Sequence, residues 1–186
     1  MKARRRFISK LATTQRRMYS MKPQTNGRRV MRKLRALLLL ILGACAAPLS
    51  HAVEVMPLTD LRADLVQAKA LNVPILLLIH SQGCTYCHYV MEDHLRPMVL
   101  SGQYTKRALI RQLAADDAVE LVDAAGQHVS ARDYARSLQV RFYPTIVFLD
   151  AEGQPMKERL IGVANIDLYG TQLEFALQRA EAQMKR

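Results

Sequence analysis

The chain has 186 residues, half of them hydrophobic, which is enough for one ordinary domain with additional segments. Its formal charge of +11 would suit a nucleic-acid-binding protein, but that charge is unevenly distributed. Residues 1–35 hold thirteen of the 27 basic residues and no acidic one, which leaves 14 basic and 16 acidic residues, a net charge of −2, for the remainder. We therefore expect no nucleic-acid partner.

The N-terminal segment has the order of a secretory signal. A basic stretch ends at Arg35, an apolar run covers residues 36–47, and Ser50 and Ala52 have the spacing that a signal peptidase reads. The apolar run is shorter than the ~20 residues that a membrane-spanning helix needs. A cleaved signal is therefore favoured over the alternative, an N-terminal membrane anchor.

The leader divides the chain into three parts. Residues 1–30 are a basic extension, which a true start at Met31 would remove, and residues 31–52 are the signal peptide. Residues 53–186 form the exported domain, and the expected location is the bacterial periplasm.

Cys45 is one of three cysteines, and it lies within the leader. Cleavage after Ala52 would remove it and leave Cys84 and Cys87 as the only pair. Residues 42–45 also resemble a bacterial lipobox, in which the cysteine carries a lipid anchor. The two outcomes for Cys45 are a small apolar residue of the signal peptide and the anchor of a membrane-bound lipoprotein.

The first half of the exported part has readable elements. Thr59 is placed to cap a helix over residues 60–71, whose apolar positions recur at helical spacing. The continuous apolar run at residues 75–79 predicts a strand buried on both faces. Cys84 begins the next helix, which we expect Pro97 to end or kink.

The second half is predicted to hold short strands and two helices. Residues 108–113 suit a strand or part of a helix equally well. The remaining predictions, in order, are a turn at 123–126, a helix at 131–138 capped by Ser130, a strand at 145–149, a hairpin turn at 150–153, a returning strand at 156–163 and a last helix at 167–184.

The spacing of Cys84 and Cys87 is typical of thiol–disulfide chemistry. Two cysteines separated by two residues at a helix start can close a small disulfide with little backbone movement. The unpaired N–H groups of that helix end favour the thiolate of Cys84, which predicts Cys84 as the attacking sulfur and Cys87 as the resolving one. His88 shares a helix face with Cys84, where it adds positive charge or is an ordinary solvated residue. We expect no metal and no cofactor beyond this redox-active disulfide.

The order of the elements and three short runs resemble the thioredoxin superfamily, over residues 58–184. The runs are Cys-Thr-Tyr-Cys at 84–87 after a buried strand, Phe-Tyr-Pro-Thr at 142–145 and Phe-Leu-Asp-Ala-Glu-Gly at 148–153. The chain looks most like periplasmic thioredoxin-like proteins associated with sulfur oxidation and disulfide interchange. The resemblance implies an α/β thioredoxin fold, with a central mixed sheet flanked by helices and the C-x-x-C motif at a helix N-terminus.

The resemblance also implies a function. The resemblance implies that the Tyr143–Pro144 peptide bond is cis, and that the backbone of Tyr143 can pair with an extended substrate segment. The implied activity is that of an exported thiol–disulfide oxidoreductase acting on protein thiols and disulfides, a reductase or interchange protein supplied by a membrane electron donor. The motif itself does not tell reductase from oxidase.

The chain departs from the superfamily at the position of a buried acid. Many thioredoxins carry that acid six residues before the first cysteine, where this chain has Leu78. Glu92 is one substitute for accepting the proton of Cys87, although similar proteins carry a glutamate one position earlier, where Met91 stands here. His80, at the end of the central strand, is the other candidate, although a core histidine with an ordinary hydrogen-bond partner is the favoured interpretation of that residue.

Other functions use the same residues. Cys84 to His88 also match the C-x-x-C-H motif of a c-type haem electron carrier, with His88 as an axial ligand. The strong strand signals count against that alternative, because small c-type cytochromes are essentially helical. Zinc binding by the cysteines with His88 and His94 is disfavoured by their crowding on one helix. The third alternative is a non-catalytic binding module with a thioredoxin fold.

Overall fold

The computed structural model describes residue 31, residues 54–115 and residues 118–185. The chain divides into two compact units, residues 1–51 and residues 52–186, and the elements described here belong to the second. The signal peptide and Cys45 lie outside the described residues, so the predictions made for them remain predictions. Within the described ranges, no helix is both long enough and apolar enough to cross a membrane.

The described part of the chain contains both helices and strands, in the order of an α/β protein. The helices are α1 (Leu61–Leu71), α2 (Thr85–Tyr89), a π-helical segment (Val90–Leu95), α3 (Arg96–Ser101), α4 (Ala131–Ser137) and α5 (Ile166–Met184). The strands are β1 (Ile75–His80), β2 (Leu109–Ala114), β3 (Glu120–Val122), β4 (His128–Ser130), β5 (Thr145–Leu149) and β6 (Pro155–Ile161). The segment at residues 108–113, for which the sequence allowed either a helix or a strand, is therefore a strand, with observed bounds Leu109–Ala114.

Four of the strands form one mixed sheet in the order β2-β1-β5-β6. β1 is parallel to β2 and antiparallel to β5, and β5 is antiparallel to β6. β3 and β4 form a separate antiparallel pair. The mixed sheet that the thioredoxin resemblance implies is confirmed, with β1 as one of its two central strands.

The central strand β1 is buried on both faces, as its continuous apolar run predicts. Ile75, Leu77 and Ile79 pack into a cluster with α1 and α4, whereas Leu76 and Leu78 pack into a second cluster with α5. Fully burying each such side chain contributes about 1.5–3 kcal/mol. This strand therefore contributes to both layers of the core, and it fixes the position of the loop and cysteine motif that follow His80.

The helix α1 begins one residue later than expected. Its N-cap is Asp60, whose carboxylate accepts hydrogen bonds from the N–H groups of Arg62 and Ala63, and Thr59 is not the cap. A carboxylate is as good a cap as a hydroxyl and adds favourable charge at the positive end of the helix. Asn72, in the left-handed conformation with φ 53°, ends the helix.

The helical stretch after the cysteine motif does not end at Pro97. It continues through α3, and the irregularity precedes the proline: the N–H of Arg96 donates to the carbonyl of Met91, five residues earlier, in the π-helical segment. Pro97 is the second residue of α3, directly after the π-helical segment, so the wider turn immediately precedes the residue that cannot donate an N–H.

A hydrogen-bonded aromatic cluster joins the π-helical segment to α5. The hydroxyl of Tyr89 donates to the carbonyl of Ile166 at 2.9 Å, and Nε2 of His94 lies 2.9 Å from the same hydroxyl. Because the hydroxyl's proton is used on Ile166, Nε2 of His94 is the donor to Tyr89. The His94 ring also packs against Tyr169, and burial lowers the pKa of His94. Gly170 leaves the space that this ring occupies, since a Cβ there would lie 3.2 Å from Cε1 of His94.

Candidate active site

The two cysteines form a disulfide at the start of α2. Their sulfurs are 2.07 Å apart and their Cα atoms 5.2 Å apart. Cys84 is the N-cap of α2, with extended backbone, and its sulfur accepts a hydrogen bond of 3.1 Å from the N–H of Cys87. The helix end therefore presents an N–H donor to the sulfur of Cys84, which favours negative charge on it when the disulfide is open.

The two sulfur-bearing residues differ in their access to solvent. Cys84 is half-buried, and Thr85 and Tyr86 between the cysteines are exposed. Cys87 is only 4% exposed. An incoming thiol or disulfide can therefore reach Cys84 but not Cys87, and this asymmetry suits the predicted division between an attacking and a resolving sulfur.

The loop before β5 contains the predicted cis peptide bond, between Tyr143 and Pro144. The carbonyl of Pro144 accepts a hydrogen bond of 2.8 Å from the N–H of Gly162, which fixes the loop to the end of β6. Thr145 pairs with Ile79 of β1, so the loop lies at the sheet edge where β1 ends and the chain turns towards Cys84. Tyr143 is half-buried against the core, and the preceding Phe142 is 69% exposed.

A cavity of about 550 Å³ lies beside the disulfide. It brings together both cysteines and three further residues predicted from the sequence, namely His80, His88 and Glu92. It is also lined by Glu54, Arg96 and Gln112, which the sequence reasoning missed. Tyr143 and Pro144, the predicted substrate loop, are not among its lining residues.

His80 is held by a chain of hydrogen bonds at the wall of this cavity. Its Nε2 lies 3.0 Å from Oε1 of Gln112, whose Nε2 donates to the carbonyl of Val55 at 2.7 Å. A carbonyl can only accept, so the bond to Val55 assigns the orientation of the Gln112 amide and makes Oε1 an acceptor towards His80. Neutral His80 therefore carries its proton on Nε2, and Nδ1 carries the lone pair, with no hydrogen-bond partner recorded for it among the described residues.

Glu92 enters the cavity through the π-helical segment. An i to i+5 hydrogen bond widens the turn, so each residue rotates by less than the about 100° of an α-helix. This widening offsets part of the displacement expected from the position of Glu92 one residue beyond the usual glutamate. Its carboxylate pairs with the guanidinium of Arg96, four residues on, whose Nε is buried and has no hydrogen-bond partner among the described residues.

His88 follows the motif on the exposed side of α2. Its side chain is exposed, although it lines the outer part of the cavity. Its N–H donates to the carbonyl of Cys84 at 3.1 Å, which is an ordinary bond of the first helical turn. The structure thus places His88 beside the pair without giving its ring a recorded partner in the cavity.

The haem and zinc alternatives do not agree with this geometry. Covalent haem would take both cysteine sulfurs, which are joined to each other here. His94, the fourth ligand of the zinc alternative, contacts Tyr89 and Tyr169 instead. Within the described ranges, no group of three or more His, Cys, Asp or Glu side chains is placed to hold a metal ion.

The half-buried sulfur of Cys84 forms a disulfide with the buried sulfur of Cys87 beyond the end of the central strand of this mixed sheet. This arrangement defines a thiol–disulfide oxidoreductase with the thioredoxin fold. Comparison of the sequence with known families agrees. The profile of the thioredoxin-like domain family matches residues 61–177, and the chain belongs to that family.

Solved structures with a similar fold include several thioredoxins. Mitochondrial thioredoxin 3 from Saccharomyces cerevisiae is 20% identical, with 67% of this chain and 94% of that one covered and a TM-score of 0.46. Thioredoxin from Fasciola hepatica is 20% identical, with 68% of this chain and 99% of that one covered and a TM-score of 0.46. No curated protein sequence matches this chain.

Proposed function

We propose that this oxidoreductase is exported to the bacterial periplasm and works there as a reductase or interchange protein on protein disulfides. The observation that carries the proposal is the half-buried Cys84 joined to the 4% exposed Cys87, downstream of a leader with the order of a signal peptide. One sulfur is placed to meet a protein substrate, and the other is placed to release it.

The proposed reaction has two exchange steps. In the reduced protein the thiolate of Cys84 attacks a substrate disulfide, forms a mixed disulfide and releases one substrate thiolate, which takes a proton from solvent. Cys87 then loses its proton and attacks the sulfur of Cys84, closing the Cys84–Cys87 disulfide and releasing the second substrate thiolate. The substrate gains two electrons and the protein loses two. The backbone of Tyr143 beside the cis bond would hold an extended substrate segment as a short added strand.

The oxidised pair must then be reduced again. An exported reductase needs a source of electrons across the membrane, and we propose a membrane electron donor that exchanges with Cys84 by the same chemistry. A reductase has a low potential, so we expect that of the Cys84–Cys87 pair to lie nearer to about −270 mV, as in thioredoxin, than to about −120 mV, as in a strong oxidase. Equilibration with glutathione or dithiothreitol buffers measures it.

Substitution of each cysteine tests the roles. Cys87→Ser should retain substrates as mixed disulfides on Cys84, which non-reducing electrophoresis of periplasmic extracts detects and reductant removes. Cys84→Ser, the matched control, should trap nothing and should fail to reduce insulin disulfides. Full exchange activity in Cys84→Ser would show that Cys84 is not the nucleophile. If both variants kept the activity of the wild type, a non-catalytic binding module would be favoured.

Fusion of the leader to alkaline phosphatase, which is active only after export, tests the location. Fusions starting at Met1 and at Met31 should both be active if residues 1–30 are dispensable. Cys45→Ser distinguishes cleavage from lipidation, because only a lipoprotein would lose its membrane association. An inactive fusion from both starts would contradict export.

A further inference from the structure

Cys87 needs a proton acceptor, and the superfamily's usual position for one is apolar here. Cys87 is 4% exposed, and burial disfavours its thiolate. Leu78, at the position of the usual acid, is fully buried among apolar side chains. Deprotonation of the resolving sulfur near neutral pH would therefore be helped by an acceptor elsewhere around the cavity.

His80 lies on the same face of the same strand. Side chains alternate along a strand, so Leu78 and His80, two residues apart, point to one side of the sheet. Gln112 is paired with Leu78 in the parallel register of β1 and β2, which brings its amide to that side as well. The 3.0 Å bond between His80 and Gln112 and their shared cavity with Cys87 agree with this placement.

The hydrogen bonds of Gln112 select the useful tautomer of His80. Because Gln112 donates to Val55 and accepts from Nε2 of His80, the nitrogen left unprotonated is Nδ1. A neutral imidazole can accept a proton at its unprotonated nitrogen, and the imidazolium that forms can return it, which is the task of a general base. The cavity of about 550 Å³ has ample room for a water molecule to connect Nδ1 with the buried thiol.

The other charged groups around the cavity are less suited to this task. Glu92 is engaged by the guanidinium of Arg96, and His88 lies on the exposed side of α2. Glu54 is exposed on the segment that precedes α1. All of these groups line the same cavity as His80. The ion pair with Arg96 uses Oε2 of Glu92, so the carboxylate of Glu92 is the competitor that the experiment must distinguish from His80.

We infer that His80 accepts the proton of the Cys87 thiol in the resolving step and that Gln112 positions it for this role. The inference rests on the proposed function. Cys87 transfers its proton to Nδ1 of His80, directly or through one water, as its sulfur bonds to the sulfur of Cys84 and the bond from Cys84 to the substrate breaks. The imidazolium then returns the proton to the departing substrate thiolate or to solvent, so protons and electrons balance.

The two phases of the reaction with 5,5′-dithiobis(2-nitrobenzoate) separate the steps. Attack by Cys84 releases the first coloured thiolate, and attack by Cys87 on the mixed disulfide releases the second. In the reduced full-length protein, His80→Gln should leave the first phase within about twofold and slow the second by about 10²-fold near pH 7, within the range of general-base catalysis. Glutamine keeps an N–H donor for Gln112, so the variant should fold. The second-phase rate should rise about tenfold per pH unit in His80→Gln but level off in the wild type.

The controls make each outcome decisive. His128→Gln, at the exposed first position of β4 and outside the cavity, should leave both phases unchanged. An unchanged second phase in His80→Gln, or equal slowing of both phases, overturns the inference. A slow second phase in Glu92→Gln with a normal one in His80→Gln assigns the acceptor to the carboxylate instead. If wild-type protein releases no second thiolate at all, the proposed function itself fails, which is distinct from a failure confined to His80.

Discussion

The ion pair between Asp64 and Arg111 links α1 to β2, and its removal should cost a large part of the stability of the domain. Nε of Arg111 donates to one carboxylate oxygen at 2.9 Å, and Nη2 donates to the other at 2.7 Å. The two side chains are only 14% and 11% exposed, so the pair is largely shielded from water. Removing one partner of such a pair leaves a buried charge uncompensated, at a cost of about 3–5 kcal/mol.

The expected loss for Asp64→Leu lies at the lower end of that range, about 3 kcal/mol in the free energy of unfolding. The reason is that Arg111 would keep two other acceptors, the carbonyl of Ile110 at 3.0 Å and Oε1 of Gln67 at 3.4 Å. Arg111→Met should cost a similar amount, because Asp64 would lose both of its donors. The double variant should recover most of the loss, since apolar side chains replace a buried pair at little cost.

Urea unfolding of the oxidised protein, with its disulfide intact, measures these differences from the midpoint at constant slope. Arg136→Met is the matched control: Arg136 pairs with Asp133 at 3.0 Å, but the two side chains are 69% and 65% exposed. Its loss should not exceed about 0.5 kcal/mol. A loss below about 1 kcal/mol for Asp64→Leu, or a double variant that shows the sum of the single losses, would refute the reasoning from burial.

Three further outcomes are expected from α5 and its contacts. Gly170→Ala should destabilise by about 1 kcal/mol in thermal unfolding, because crowding of the fixed His94 ring outweighs the better helix propensity of alanine. Burial lowers the pKa of His94, so the unfolded chain protonates first as the pH falls. Stability should therefore be complete above about pH 6.5 and fall below it, less steeply in His94→Gln, when unfolding is compared at pH 8 and pH 5. Arg107, paired with Glu174 and Glu181, is part-exposed, so Arg107→Met should cost only about 1 kcal/mol by urea unfolding, and no loss would show that α5 is held by its apolar face alone.

The parts of the fold that the sequence predicts well are those set by local periodicity. The five residues 75–79 are all apolar, so a strand formed by them needs burial on both faces, and the structure places it in the centre of the sheet. The N-cap of α1 is one of two adjacent polar residues, and here Asp60 takes that position, with extended backbone and its carboxylate on the first N–H groups of the helix. Such a choice depends on how the preceding segment bonds to β2 and β3, which local patterns do not record.

The same division holds for the candidate site. The cysteine pair and the cis bond before Pro144 are predictable because their residues are close in sequence and their chemistry is distinctive. Arg96 could have been found as the partner of Glu92, since the two are four residues apart on one helix. Gln112 carries no such signal, because it reaches the cavity only through the pairing of β1 with β2.

This difference explains why the motif alone leaves the proton of Cys87 without an acceptor. With Leu78 in place of the usual acid, the sequence offers several polar residues near the cysteines and no means of ranking them. The structure adds a bond that crosses the fold: Gln112, held by Val55, accepts from Nε2 of His80, which leaves Nδ1 of that ring as the acceptor. A change at Gln112, 25 residues from Cys87 in sequence, should therefore affect the resolving sulfur while leaving the attack by Cys84 intact.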